Sequence, residues 1–150
     1  MEYKYMSLNE SDTMELAENI ESEHFKGMVI CLNGELGSGK TIFAKAFANA
    51  LGITEPITSP TFNIIKEYPN GELPLYHMDV YRIEDKVEDL GIEEYFDKDG
   101  VTIIEWADMI TKYLPEERLD VNIKVRGEDS RTIILVPLGK VYEDICEAIL

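Results

Sequence analysis

Apolar residues recur at Met14, Ala17 and Ile20, three positions apart within the stretch 9–22. That spacing puts them on one face of a helix, and the polar residues in front of them suit the open N–H groups of a first turn. Residues 27–33 (GMVICLN) break the rhythm, because a continuous apolar run with β-branched members reads as a strand buried on both faces. Helical spacing returns after residue 41: Ile42, Phe43, Ala46, Phe47, Ala50 and Leu51 share a face, and Gly52 ends it.

Two pairs of strand-like runs follow. Residues 61–68 and 75–82 are joined through Pro69-Asn70-Gly71, a hairpin turn signal, and residues 119–126 and 131–136 flank a second turn at 127–130. Between the pairs, residues 101–106 (VTIIEW) read as another core strand. The charged stretch 84–96 is predicted to be helical in pieces, and residues 139–150 to form a closing helix. No internal repeat, linker or low-complexity tract interrupts the 150 residues, so one domain over 1–150 accounts for the chain. Strands interleaved with helices predict an α/β three-layer sandwich of the P-loop NTPase-like kind. Its central sheet would be mostly parallel, with antiparallel hairpins added.

Charge narrows the choice of partner. The formal net charge is −16, with 14 Lys and Arg against 30 Asp and Glu. Holding RNA or DNA takes several basic side chains paired with phosphates, and no such cluster exists here, so no strong direct binding of nucleic acid is expected. No run of 18 apolar residues suggests a membrane span, and the N-terminus has neither the basic head nor the apolar centre of a signal peptide. The expectation is a soluble, cytoplasmic chain. Cys31 and Cys146 both lie among apolar residues and read as reduced, packed thiols.

The chemistry starts at Gly34-Glu35-Leu36-Gly37-Ser38-Gly39-Lys40-Thr41, which satisfies G-x-x-x-x-G-K-[ST] at every fixed position. The glycines let the backbone curl so that the N–H groups of Glu35, Leu36, Gly37, Ser38, Gly39, Lys40 and Thr41 can cradle phosphate. The next helix adds its positive end. Lys40 would reach the β- and γ-phosphates of ATP, and the Thr41 hydroxyl would ligate Mg²⁺. The motif also sits where that mechanism needs it, after a buried strand and before an amphipathic helix.

A metal beside this loop calls for an acid at the end of a neighbouring strand. Glu105 ends Val101-Thr102-Ile103-Ile104, as the acid of a Walker B strand does. Asp79, in His77-Met78-Asp79-Val80-Tyr81-Arg82, ends the return strand of the first hairpin. Distances are not legible in sequence, so the roles of the two acids stay exchangeable. Ser59-Pro60-Thr61-Phe62 opens that hairpin, where a hydroxyl would sense the γ-phosphate or simply make a turn. Trp106, the only tryptophan, is either core or a lining of the site. His24 and His77 read as surface or structural, since neither has a second His or Cys at metal-site spacing.

Taken together, these pieces resemble the TsaE family, the small ATPases of bacterial tRNA threonylcarbamoyladenosine synthesis. The resemblance rests on Ser11-Asp12-Thr13-Met14-Glu15-Leu16-Ala17, GELGSGKT (34–41), SPTF (59–62), YHMDVYR (76–82), DLGIEEYF (89–96) and IIEWAD (103–108), in the family's order over most of the chain. It implies ATP binding and hydrolysis, with Thr41 and Glu105 at the positions that ligate Mg²⁺. Asp79 matches an acid needed for activity, Thr61 a switch-like position and Thr13 a residue near the adenine side, and Arg131 is brought towards the nucleotide. It also implies partners, TsaD and TsaB, which carry out the transfer to tRNA while hydrolysis here resets their complex between turnovers.

Two other readings use the same loop. A P-loop small-molecule kinase needs a lid of arginines over the transferring phosphoryl, and Arg82, Arg118, Arg126 and Arg131 form no such cluster. A GTPase would carry an N-K-x-D element, which is missing, and Asp97-Lys98-Asp99-Gly100 precedes a strand where D-x-x-G would follow one. No water-positioning Gln or internal arginine finger is evident. Slow basal hydrolysis is therefore expected, rising when partners complete the site.

Overall fold

The computed structural model describes residues 1–60 and 64–150. Its strands are β1 (Tyr3–Ser7), β2 (Val29–Asn33), β3 (Ile65–Tyr68), β4 (Leu75–Asp79), β5 (Val101–Glu105), β6 (Arg118–Val125) and β7 (Arg131–Leu138). Its α-helices are α1 (Glu10–Glu21), α2 (Lys40–Ala50), α3 (Val87–Leu90), α4 (Ile92–Tyr95) and α5 (Lys140–Ile149), with 3₁₀ turns at Glu84–Lys86 and Ala107–Tyr113. The strands make one sheet in the order β1-β7-β6-β2-β5-β4-β3. The inner four, β6, β2, β5 and β4, are parallel, while β7, β1 and β3 are antiparallel additions at the two edges.

Alternation along the inner strands divides the interior in two. Met28, Ile30 and Leu32, with Val101 and Ile103, face a large cluster completed by Leu16 and Ile20 of α1, Phe43 and Phe47 of α2, and Tyr142 and Ile145 of α5. Val29, Cys31, Met78 and Ile104 face a smaller cluster closed by Val87, Ile92 and Ile110. Both faces of β2 and β5 are therefore apolar, which is why 27–33 and 101–104 are continuous hydrophobic runs. Helices on both faces give the three layers. Among the described residues no helix is long and apolar enough to cross a membrane.

The differences from the sequence reading have local causes. Strand β1 was not anticipated, although Tyr3 and Tyr5 alternate with Lys4 and Met6. At an edge only one face is covered, so the pattern is faint, and pairing with β7 makes the strand. The first hairpin turns through residues 69–74, since Tyr68 pairs with Leu75, a longer loop than the Asn-Gly signal suggests. Strand β4 stops at Asp79, short of residue 82, and Arg82 takes a left-handed φ of 58°. Cys31 and Cys146 are buried free thiols. Burial raises the Cys31 pKa strongly and that of Cys146 to about 11, so neither is a nucleophile at neutral pH.

Candidate active site

The phosphate-loop motif lies between the C-terminal end of β2 and the start of α2, on a parallel sheet, where strand ends open outward. Two of its glycines are required by shape. A Cβ on Gly34 would meet Ser38 Oγ at 2.6 Å and the Ile123 carbonyl oxygen at 2.7 Å. Gly39, with φ 111° and ψ 15°, takes a left-handed turn into the helix. The two helix starts differ in charge and capping. Helix α1 is capped by Asn9, whose Oδ1 accepts from the Asp12 N–H at 2.9 Å, and has Glu10 and Asp12 in its first turn. Helix α2 has no side-chain cap among the described residues and no acid in its first turn, so its positive end is left open towards an anion.

Lys40 is 5% exposed. Its Nζ donates to the carbonyls of Gly34 (2.6 Å) and Glu35 (3.1 Å) and lies 4.0 Å from the centre of the Trp106 ring. Burial lowers its pKa from the ordinary lysine value, while the carboxylates of Glu105, Asp79, Asp108 and Glu35 pull it back up. The ammonium thus sits at the mouth of the loop inside an acidic surround.

The facing wall comes from β4 and β5. Their parallel register pairs Asp79 with Glu105, so both strands end side by side in acids. Thr41 Oγ1, 64 residues away in the chain, donates to Glu105 Oε1 at 3.1 Å. Glu105 Oε2 lies 2.6 Å from Nε2 of His77, whose side chain is fully buried. Asp79 Oδ1 accepts the Tyr81 N–H at 3.0 Å. Burial pushes the Asp79 pKa up. The Tyr81 N–H opposes this, Glu105 adds to it, and His77 and Lys40 again work against it. After Glu105 the chain turns sharply, with Trp106 at φ 64°, a conformation that costs a non-glycine residue about 1 kcal/mol or more. The turn is held by the Trp106 N–H to the Leu32 carbonyl (3.0 Å) and by Asn33, whose Oδ1 accepts from Asp108 N (2.8 Å) and whose Nδ2 donates to Asn122 (3.0 Å). The indole is thereby placed over Lys40 and against Tyr81, at 4.7 Å between ring centres.

The structure brings Leu36, Gly37, Gly39, Lys40, Thr41, Ser59, Asp79, Glu105 and Trp106 to one cleft of about 680 Å³. Thr13 and Arg131 are elsewhere. They line a smaller cavity of about 160 Å³, together with Ser38, that adjoins the cleft through the shared residues Gly37, Gly39 and Ile42. Thr13 Oγ1 is bonded to Ser7 Oγ at 2.7 Å. Arg131 donates to the carbonyls of Ser38 (2.9 Å) and Gly37 (3.2 Å), so its guanidinium grips the loop backbone itself. Thr61 lies outside the described residues. His77, read from sequence as surface or structural, is fully buried, so the surface alternative falls. A signal was available: on β4 it shares a face with Leu75 and Asp79, the face on which β5 carries Val101, Ile103 and Glu105.

The donor set suits a phosphate-bound divalent cation. A hydroxyl and a carboxylate oxygen 3.1 Å apart are hard ligands of the kind Mg²⁺ takes, beside an uncapped helix start and a lysine. Comparisons with known proteins show the family. Residues 7–133 match the family model described as threonylcarbamoyl adenosine biosynthesis protein TsaE. The chain is 50% identical over 144 residues to the Bacillus subtilis tRNA threonylcarbamoyladenosine biosynthesis protein TsaE, covering 96% of this chain and 91% of that protein. The Treponema pallidum protein of the same name is 42% identical over 110 residues, 72% of this chain and 81% of that one. The crystal structure of Bacillus subtilis YdiB superimposes with a TM-score of 0.88 at 44% identity, covering 99% of this chain and 94% of that one.

Proposed function

The chain belongs to the TsaE family, and from that premise we propose that it binds ATP with Mg²⁺, hydrolyses it slowly, and serves tRNA threonylcarbamoyladenosine biosynthesis by resetting a complex with TsaD and TsaB between turnovers. One observation carries the chemical part of this reading. The Thr41 hydroxyl at the head of α2 and the Glu105 carboxylate at the end of β5 meet at 3.1 Å on the cleft that Lys40 also lines.

In this reading the loop amides and the open start of α2 bind the phosphates. Lys40 exchanges its two carbonyl partners for phosphate oxygens, which a charge-assisted bond favours. Thr41 Oγ1 and Glu105 Oε1 hold the cation. Bound Mg²⁺ supplies charge neutralisation on the phosphate oxygens and draws them into one orientation. Asp79, whose raised pKa reflects a half-buried carboxyl, faces the same cleft and orients or deprotonates the attacking water. Trp106 and Tyr81 wall the cleft against bulk water. The net charge of −16 leaves the gripping of tRNA to the partners.

Calorimetry of the chain with ATP, with and without Mg²⁺, tests the binding. Absence of heat from well-folded protein would end the reading. The wider role is tested by tRNA modification with TsaD and TsaB present. A single turnover is expected without this chain and repeated turnover only with it, whereas equal multi-turnover yields would remove the resetting role. Phosphate appearing on a metabolite and not in water would favour the kinase alternative.

A further inference from the structure

We propose that His77 is a positioning residue for the cation site. Its buried imidazole holds one oxygen of the Glu105 carboxylate so that the other faces Thr41. The proposal rests on the Mg²⁺–ATP reading above and extends it to a residue that does not line the cleft.

The geometry is that of a carboxylate held from two sides. Glu105 Oε2 is 2.6 Å from His77 Nε2, while Oε1 is the nearer partner of Thr41 Oγ1, at 3.1 Å against 3.4 Å for Oε2. A ring nitrogen at that distance from an ionised carboxylate carries a hydrogen and donates it. The parallel register of β4 and β5 makes the contact possible. His77 pairs with Ile103, one step before Asp79 pairs with Glu105, and residues two apart on a strand share a face.

Packing alone does not account for a histidine here. Its neighbours on that face of the two strands, Leu75, Val101 and Ile103, are core residues, and an aliphatic side chain would continue the pattern. His77 is fully buried, and its Nδ1 has no hydrogen-bond partner among the described residues. One ring nitrogen is thus left unpaired in the interior while the other grips Glu105. Groups that orient a metal-binding carboxylate from behind commonly change metal affinity when they are removed.

The test uses the full chain as wild type, His77→Met and His77→Gln, with ATP titrated by calorimetry across a series of Mg²⁺ concentrations. Met fills the space without a donor, whereas the Gln amide can still donate to Oε2. The Met variant is expected to need about 10–100-fold more Mg²⁺ to reach half of its metal-dependent gain in affinity. Its metal-free nucleotide affinity should stay at the wild-type level, while its melting temperature falls, because the Glu105 carboxylate, 3% exposed, loses a charge-assisted bond. The Gln variant should recover most of the loss. A purely structural His77 would lower the melting temperature in the same way but leave the Mg²⁺ midpoint where it was. An unchanged midpoint in the Met variant, or equal shifts in Met and Gln, would overturn the proposal while leaving the nucleotide reading intact. A wild type with no Mg²⁺-dependent affinity would overturn both. Should the Met variant not fold, long-range proton–nitrogen NMR of wild-type His77 decides: a ring carrying a hydrogen on Nε2 is expected, and a ring protonated on Nδ1 alone overturns the proposal.

Discussion

The two walls of the cleft are built in different ways. The loop wall is eight consecutive residues whose work is done by backbone, by glycines that allow the curl and by the start of α2, with Arg131 gripping the carbonyls of Gly37 and Ser38 from behind. The acid wall is assembled from side chains on β4 and β5, Asp79, Glu105 and the buried His77, brought level by strand register. A backbone-built wall tolerates change at exposed positions such as Leu36, which is 89% exposed, but not at its turning points. A side-chain wall keeps its fold when altered and loses its chemistry. Local curvature thus shapes the loop, while non-local register decides which carboxylates face it.

The strongest challenge to this contrast is Gly34→Ala. The new methyl meets Ser38 Oγ at 2.6 Å and an immovable carbonyl of Ile123 at 2.7 Å. Loss of nucleotide affinity by about 100-fold or more, with a lowered melting temperature, is expected in calorimetry and thermal melts. Lys40→Ala should lose affinity by a similar factor of about 100 with the circular dichroism unchanged, because a charge-assisted contact is lost and not the loop. Next comes Glu105→Gln. It removes the proposed cation ligand but keeps an acceptor for Thr41, so the Mg²⁺ dependence of binding should weaken by about 10–100-fold while metal-free binding persists.

Asp79→Asn sharpens the contrast further, because it separates stability from activity. Burial raises the pKa of Asp79, so the folded protein holds this proton more tightly than the unfolded chain does. Ionised Asp79 therefore opposes folding at neutral pH. The opposition fades as pH falls through the raised folded value and is gone below the ordinary value of 3.8. The variant should melt on the order of 2 °C higher than wild type at pH 7, with the gap closing in acid, while hydrolysis falls more than binding. A lower melting temperature at pH 7 would show that the Tyr81 hydrogen bond outweighs desolvation. The smallest effect is expected for Arg131→Ala. Losing its two bonds to the loop should weaken nucleotide binding by about 1 kcal/mol, measured by calorimetry, with the Mg²⁺ midpoint unmoved.

Much of this site is legible in the chain because its determinants are local. GELGSGKT specifies a curl and a helix start within eight residues, and the apolar runs at 27–33 and 101–104 declare strands covered on both faces. The strand-end acids were legible as candidates for the same reason. What stayed hidden depends on pairs distant in sequence. Residues 3–7 become a strand only because β7 offers an edge. Arg131 turns to the loop carbonyls only once β7 has paired with β6. His77 looked like an ordinary histidine until register put it against Glu105.

By itself, then, the sequence determined the phosphate loop, the layered α/β plan and the family to which both belong, since each follows from spacing within one element or from motifs in order. Only the tertiary structure decided which Glu105 oxygen faces Thr41, what holds the other, and that Thr13 and Arg131 line a second, adjoining cavity and not the cleft of the acids. The physical reason is range. Helical period and backbone curl act over a few residues, but a hydrogen bond between residues 41 and 105 exists only after the sheet has set their distance.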